Sequence, residues 1–150
     1  MLSKSQAKLF FLAGTIIFSV LFLGLSLDTH VNRVGNQTHE ENITEAVIQG
    51  KHLWEENNCM GCHTIMGEGA YYAPELTKVI ERRGAGYVKA ALMSKTPWGE
   101  YTSGRKMVAY GMTEEEANNL VEFFTWVGEI DLNGFPAKPS YKVEKVNTSE

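Results

Sequence analysis

The chain has 150 residues, of which 14 are Lys or Arg and 18 are Asp or Glu, for a formal net charge of −4. That balance, with no basic cluster interleaved with aromatics, argues against nucleic acid as a partner. No repeat at solenoid periods is visible, and once an apolar N-terminal run is set aside about 120 residues remain, enough for one small core.

Leu9 to Leu27 carries no charge. A helix of that length reaches about 28 Å, close to the thickness of a bilayer's hydrocarbon core. Lys4 and Lys8 precede it, and no basic cluster follows before Arg33. The positive-inside rule then leaves the N-terminus in the cytoplasm and sends the chain from Asp28 onward across the membrane. A cleaved signal peptide is the competing reading. The apolar run exceeds the usual roughly 7–15 residues, and Gly24-Leu25-Ser26 is a poor cleavage site, so a retained single-pass anchor in membrane lipid is expected. Residues 1–27 are therefore assigned to the N-terminal end and anchor. Polar residues 28–41 are assigned to a linker, 42–135 to one domain, and polar 136–150 to a tail.

Asn42 with Glu45 three residues later predicts a capped helix start. Ala46, Val47, Gly50, Leu53 and Trp54 follow at helical spacing. Gly50 inside that stripe predicts a second backbone crossing closely there. That helix runs into Cys59-Met60-Gly61-Cys62-His63, which contains both cysteines of the chain. Cys-x-x-Cys-His is the attachment pattern of a c-type haem. Each thiol forms a thioether to one vinyl group, and the adjacent imidazole ligates the iron. A redox dithiol and a zinc half-site are the alternatives, but no second cysteine pair exists and the histidine stands where haem attachment needs it. One covalent haem c is expected. Covalent attachment takes place outside the bacterial cytoplasmic (inner) membrane, which agrees with the charge bias and puts the haem domain in the periplasm.

Weaker helices are predicted over Glu75 to Arg83 and Tyr87 to Met93. Thr113 with Glu116 is a capping box, and Ala117, Leu120, Val121, Phe124 and Val127 form the buried face of the helix it opens. Asn133-Gly134 and Pro136 end the pattern. No segment alternates with period two, so the domain is expected to be all-α.

A helix before Cys-x-x-Cys-His and a helix near the C-terminal end resemble the class I cytochromes c, in which a downstream methionine fills the sixth iron position. Met60 and Met66 lie too close to His63, and Met93 falls in an apolar helical pattern. Met107, ending a poorly periodic loop from Thr96 to Lys106, is the expected ligand. Met112 stays open, although its place before Thr113 suits a staple onto Ala117. His30 and His39 fall in the linker, and His52 lies on the polar side of its helix. Pro74 resembles the class I proline whose carbonyl orients the iron-ligating histidine, here His63.

Trp54-Glu55-Glu56-Asn57-Asn58-Cys59-Met60-Gly61-Cys62-His63-Thr64 continues into Gly67-Glu68-Gly69-Ala70-Tyr71-Tyr72-Ala73-Pro74-Glu75-Leu76. With Gly104-Arg105-Lys106-Met107 and Trp126 to Pro136, this resembles the cytochrome c subunits of bacterial nitric oxide reductases over nearly the whole chain. That family often has proline after the axial methionine, where this chain has Val108. The resemblance implies an electron-transfer subunit with no catalytic residue of its own. Its donor would be a soluble periplasmic small cytochrome c or cupredoxin. Its acceptor would be a large multi-helix subunit, where haem b and a non-haem iron reduce nitric oxide to nitrous oxide. The resemblance further implies an interface calcium, with Gly69 contributing its carbonyl and Tyr71 its hydroxyl. A free-standing membrane-anchored cytochrome c carrier is the alternative, and a haem enzyme with an open iron position is a third reading. Arg105 and Lys106 are candidates to neutralise haem propionates. Arg82 and Arg83 read as a solvated helix end, and the acidic residues Glu68 and Glu114 to Glu116 define no docking face.

Overall fold

Ser3 opens the first helix with a reciprocal cap: its hydroxyl accepts from the Gln6 N–H at 3.3 Å, and Gln6 Oε1 accepts from the Ser3 N–H at 2.9 Å. The structure is a computed structural model that describes residues 3–99 and 104–134. It divides into two compact units, Met1–Glu41 and Asn42–Glu150.

In the first unit, helix α1 (Lys4–Thr29) passes through a π-helical stretch, His30–Val34, into α2 (Gly35–Thr38). The continuous helix Lys4–Thr38 is the one helix among the described residues long and apolar enough to cross a membrane. None of the residues of α1 is buried, so its apolar surface is left for lipid or another helix to cover. The segment expected to be a polar linker is thus helical as far as Thr38. Its polar side chains bond at helical spacing: Asn32 Nδ2 donates to Asp28 at 2.7 Å, and the Thr38 hydroxyl donates to the Val34 carbonyl at 2.8 Å. His39, at φ 50°, ends it in a left-handed cap.

The second unit begins with a correction to the expected cap. Asn42 closes a 3₁₀ turn, and its side chain donates to Glu129 Oε2 at 3.2 Å instead of capping a helix. Thr44 is the N-cap of α3 (Glu45–Glu56), accepting from the Val47 N–H at 3.3 Å. The helix α3 packs chiefly against α6 (Glu114–Glu129). At their crossing a Cβ on Gly50 would fall inside contact distance of the Asn119 carbonyl, which is why glycine interrupts the apolar stripe. Both halves of the Thr113–Glu116 capping box are present. The faces predicted for α6 are buried, and Phe123 joins them. Trp54 stands edge-on to Phe124, ring centroids 5.7 Å apart, so the two helices share an aromatic centre.

Between these helices lie α4 (Val79–Arg83) and α5 (Ala85–Met93). The start of α4 is later than the expected Glu75, because that stretch is engaged elsewhere. Glu75 accepts from the N–H and hydroxyl of Thr77, and the Leu76 N–H donates to the Thr64 carbonyl at 2.8 Å. A two-residue antiparallel pair, β1 (Thr64–Ile65) with β2 (Glu68–Gly69), follows the haem motif. Among the described residues the remaining regular elements of the domain are helices joined by long loops, and the all-α class holds. Asn133 and Gly134, at φ 52° and 89°, turn the chain after α6; Pro136 and the expected tail lie outside the described residues.

Candidate functional site

Asn58, at the left-handed φ of 49°, breaks the line of α3 and starts the 3₁₀ turn Cys59–Gly61. His63 N–H and Cys62 N–H both donate to the Cys59 carbonyl, at 2.9 and 3.1 Å, so the motif is wound into one tight turn. Cys59 is buried and Cys62 is exposed, both with free thiols. Burial pushes the Cys59 thiol up to about 11.

The His63 ring nitrogen Nδ1 lies 2.7 Å from the Pro74 carbonyl. A carbonyl can only accept, so Nδ1 carries the proton and Nε2 presents its lone pair. Burial, the larger effect, lowers the pKa of His63, while the bond to Pro74 works the other way; the net result favours the neutral imidazole that can bind a metal.

Cys59, Cys62 and His63 line one cavity of about 570 Å³ together with Pro74, Tyr71 and Met107. That volume suits a cofactor, whose sites typically run from roughly 300 to 1,000 Å³. The apolar lining includes Trp54, Leu76, Val88, Leu92, Leu120 and Phe124, drawn from three helices and the loop before α4. Two thiols, an imidazole with a free Nε2, a thioether and an apolar slot together fit a covalently held haem.

Met107 is held by a two-way bridge, its N–H donating to the Trp98 carbonyl at 2.9 Å and its carbonyl accepting from the Trp98 N–H at 3.0 Å. No other methionine among the described residues lines the cavity. Met112 is buried in the core at 9% exposure, with its N–H on the Leu92 carbonyl at 3.1 Å. His52 is exposed beside Glu55 and takes no part in the cavity.

Gly69 pairs with Thr64 and has φ 121°; a Cβ there would collide with the His63 carbonyl. Tyr71 is 79% exposed, and its hydroxyl donates to the Gly67 carbonyl at 3.1 Å. Among the described residues no group of three or more His, Cys, Asp or Glu is placed to hold a metal ion.

Arg82 and Arg83 are exposed in the last turn of α4, as expected of a solvated helix end, and both also line the cavity, with Arg105 and Lys106. Arg82 donates to the Glu75 carbonyl and, at 3.3 Å, to its carboxylate. The Arg83 guanidinium lies over the Tyr87 ring, 5.4 Å from its centroid, and Tyr87 stands edge-on to Trp98. The roles of Trp98 and Tyr110 are not legible in the sequence. Tyr110, whose hydroxyl donates to the Asn57 carbonyl at 3.5 Å, carries no periodic signal, and Trp98 sits in a loop with no period.

Comparison with known proteins agrees with this site. The cytochrome c family model matches residues 47–127. The C subunit of nitric oxide reductase from Halomonas halodenitrificans is 42% identical, over 93% of this chain and 97% of its own. The corresponding C subunits from Stutzerimonas stutzeri and Paracoccus denitrificans are 38% and 34% identical, covering 89% and 90% of this chain and 93% and 94% of theirs. Likeness of that degree, from the membrane helix through the haem domain, means that the chain belongs to the family of nitric oxide reductase C subunits and carries haem c on a cytochrome c domain.

Proposed function

We propose that this chain is the electron-entry subunit of a nitric oxide reductase, passing electrons from a soluble periplasmic donor to a catalytic subunit holding haem b and a non-haem iron. The overall reaction there is 2 NO + 2 H⁺ + 2 e⁻ → N₂O + H₂O. The observation that carries this reading is the convergence of Cys59, Cys62, His63 and Met107 on one apolar cavity. When bound, haem c supplies a one-electron centre. Cys59 and Cys62 hold it through thioethers. His63 ligates the iron through Nε2, with the Pro74 carbonyl fixing the ring and raising its basicity. The Met107 thioether would be the second side chain to hold the iron, which would leave no site for substrate and raise the potential towards that of an electron acceptor.

The anchor is read with its N-terminus in the cytoplasm, which puts the haem domain in the periplasm beside its donor. The Gly69 carbonyl and Tyr71 hydroxyl are read as ligands of a calcium shared with the catalytic subunit. Both lie on the exposed segment after the haem motif, and the Tyr71 hydroxyl, which donates to the Gly67 carbonyl, keeps its oxygen lone pairs for a cation.

The test is the cofactor content of the tagged protein, purified from its native membrane in mild detergent. Haem c accompanied by haem b and extra iron, without copper, is expected. Haem c alone after gentle extraction would replace this reading with a solitary tethered carrier.

A further inference from the structure

The two axial candidates of the haem come from segments far apart in the chain, and one side chain spans them. Arg105 Nη1 donates to the Tyr72 carbonyl at 2.7 Å, and its guanidinium lies over the Tyr72 ring, 5.1 Å from the centroid. Tyr72 is two residues from Pro74, the acceptor of the His63 N–H. Arg105 is two residues from Met107. All four of Tyr72, Pro74, Arg105 and Met107 line the cavity.

The Tyr72 side is well held to the haem motif. The Ala70 N–H donates to the Met60 carbonyl at 3.0 Å and the Ala73 N–H to the Cys62 carbonyl at 2.8 Å. The Met107 side is held to its own neighbourhood by Trp98, and by the Gly111 N–H on the Ser94 carbonyl at 3.1 Å. Between the two sides, the Tyr110 hydroxyl meets the Asn57 carbonyl at 3.5 Å, a long bond. The Arg105 bond is short and carries an ionised donor, the stronger kind. A guanidinium also suits this seat better than an ammonium, since its plane can stack on the ring while its edge donates.

We infer that Arg105 is a positioning residue that clasps the Met107 segment to the Tyr72 loop and so keeps the methionine sulfur on the haem iron. The inference rests on Met107 as sixth ligand. Without the clasp, Met107 would swing off more often, and an added ligand binds the iron in proportion to the population in which it has done so.

The test uses the full-length, haem-loaded protein in detergent, with imidazole as the probe. Two quantities are measured on the oxidised protein: the intensity of the thioether-to-iron charge-transfer band and the imidazole concentration that half-abolishes it. Arg105→Gln should lower that concentration about tenfold and weaken the band, at unchanged haem content and helical circular dichroism. Tyr72→Leu, which removes the ring under the guanidinium but keeps the backbone carbonyl it donates to, should act in the same direction and less strongly. Arg105→Lys should recover part of the loss. If Arg105→Gln fails to load haem, Tyr72→Leu and Arg105→Lys carry the test. A wild type with no thioether band would overturn the ligand reading and the clasp together. A normal band with Arg105→Gln within twofold of wild type would overturn the clasp alone.

Discussion

His63 Nδ1 and the Pro74 carbonyl oxygen lie 2.7 Å apart across eleven residues of sequence. This bond fixes which imidazole nitrogen faces the cavity, because a carbonyl can only accept. The Pro74 loop is itself pinned by the bond from Ala73 to the Cys62 carbonyl, so the ligand and its orienting partner move as one piece.

The two downstream methionines should separate cleanly under substitution. Met107→Ala is expected to remove the thioether-to-iron band and open the reduced haem to carbon monoxide. Met112→Leu, a volume-conserving change in the core, should cost less than about 1.5 kcal/mol and leave the spectrum intact. Absorption spectra with and without carbon monoxide, together with thermal unfolding, check both outcomes.

Gly50→Ala should destabilise the domain by about 1–3 kcal/mol, because its methyl group would meet the Asn119 backbone and α6 cannot retreat without opening the aromatic centre. Denaturant unfolding monitored by helical circular dichroism gives the figure. A neutral result would show that the crossing of α3 and α6 is looser than the structure has it.

The start of α6 predicts a dependence on pH. Glu116 has its carboxyl held below the usual range, first by the bond from the Thr113 N–H and then by the Thr113 hydroxyl. A depressed folded-state value means that the stabilisation is present above the ordinary carboxylate range and is lost as pH falls through the folded value. The stability gap between wild type and Glu116→Gln should therefore be widest near neutrality and close below about pH 4. Thr113→Ala, which removes the cap itself, should cost about 1 kcal/mol. Melting temperatures measured across that pH range decide the matter.

In the reduced, haem-free chain, Cys59 should alkylate more slowly than Cys62 at about pH 8, just below the ordinary thiol range. The Cys59 thiol is buried and pushed up to about 11, so little thiolate forms, whereas Cys62 is exposed. Peptide mass spectrometry of iodoacetamide-treated protein gives the order; equal rates would mean that the turn opens without haem.

For calcium, Tyr71→Phe in the intact complex should lower bound calcium and activity together, measured by elemental analysis and nitric oxide consumption. A variant retaining both would remove Tyr71 from the ligand set.

Much of this molecule is legible from local spacing. The α6 capping box, its buried face and the close crossing at Gly50 are all set by residues three or four apart, or by the absence of one Cβ. The elements that depart from expectation share a cause. Asn42 has the local pattern of a cap, but its side chain is claimed by Glu129, distant in sequence. The start of α4 moves because Glu75 and Leu76 bond to Thr77 and Thr64, partners that a helical count does not include. Residues 28–41 have the polarity of a linker, yet their polar groups bond along a helix as far as Thr38.

The sequence by itself determined the haem chemistry, the apolar anchor and the helical class. Those depend on covalent spacing, on length against a bilayer, and on periodicity, which are properties of neighbouring residues. The tertiary structure alone decided which methionine lines the cavity with His63, how closely the Pro74 carbonyl approaches that histidine, and that Arg105 reaches Tyr72. These relations join segments well separated in the chain, and they exist because the packing of α3, α5 and α6 fixes where each loop can run.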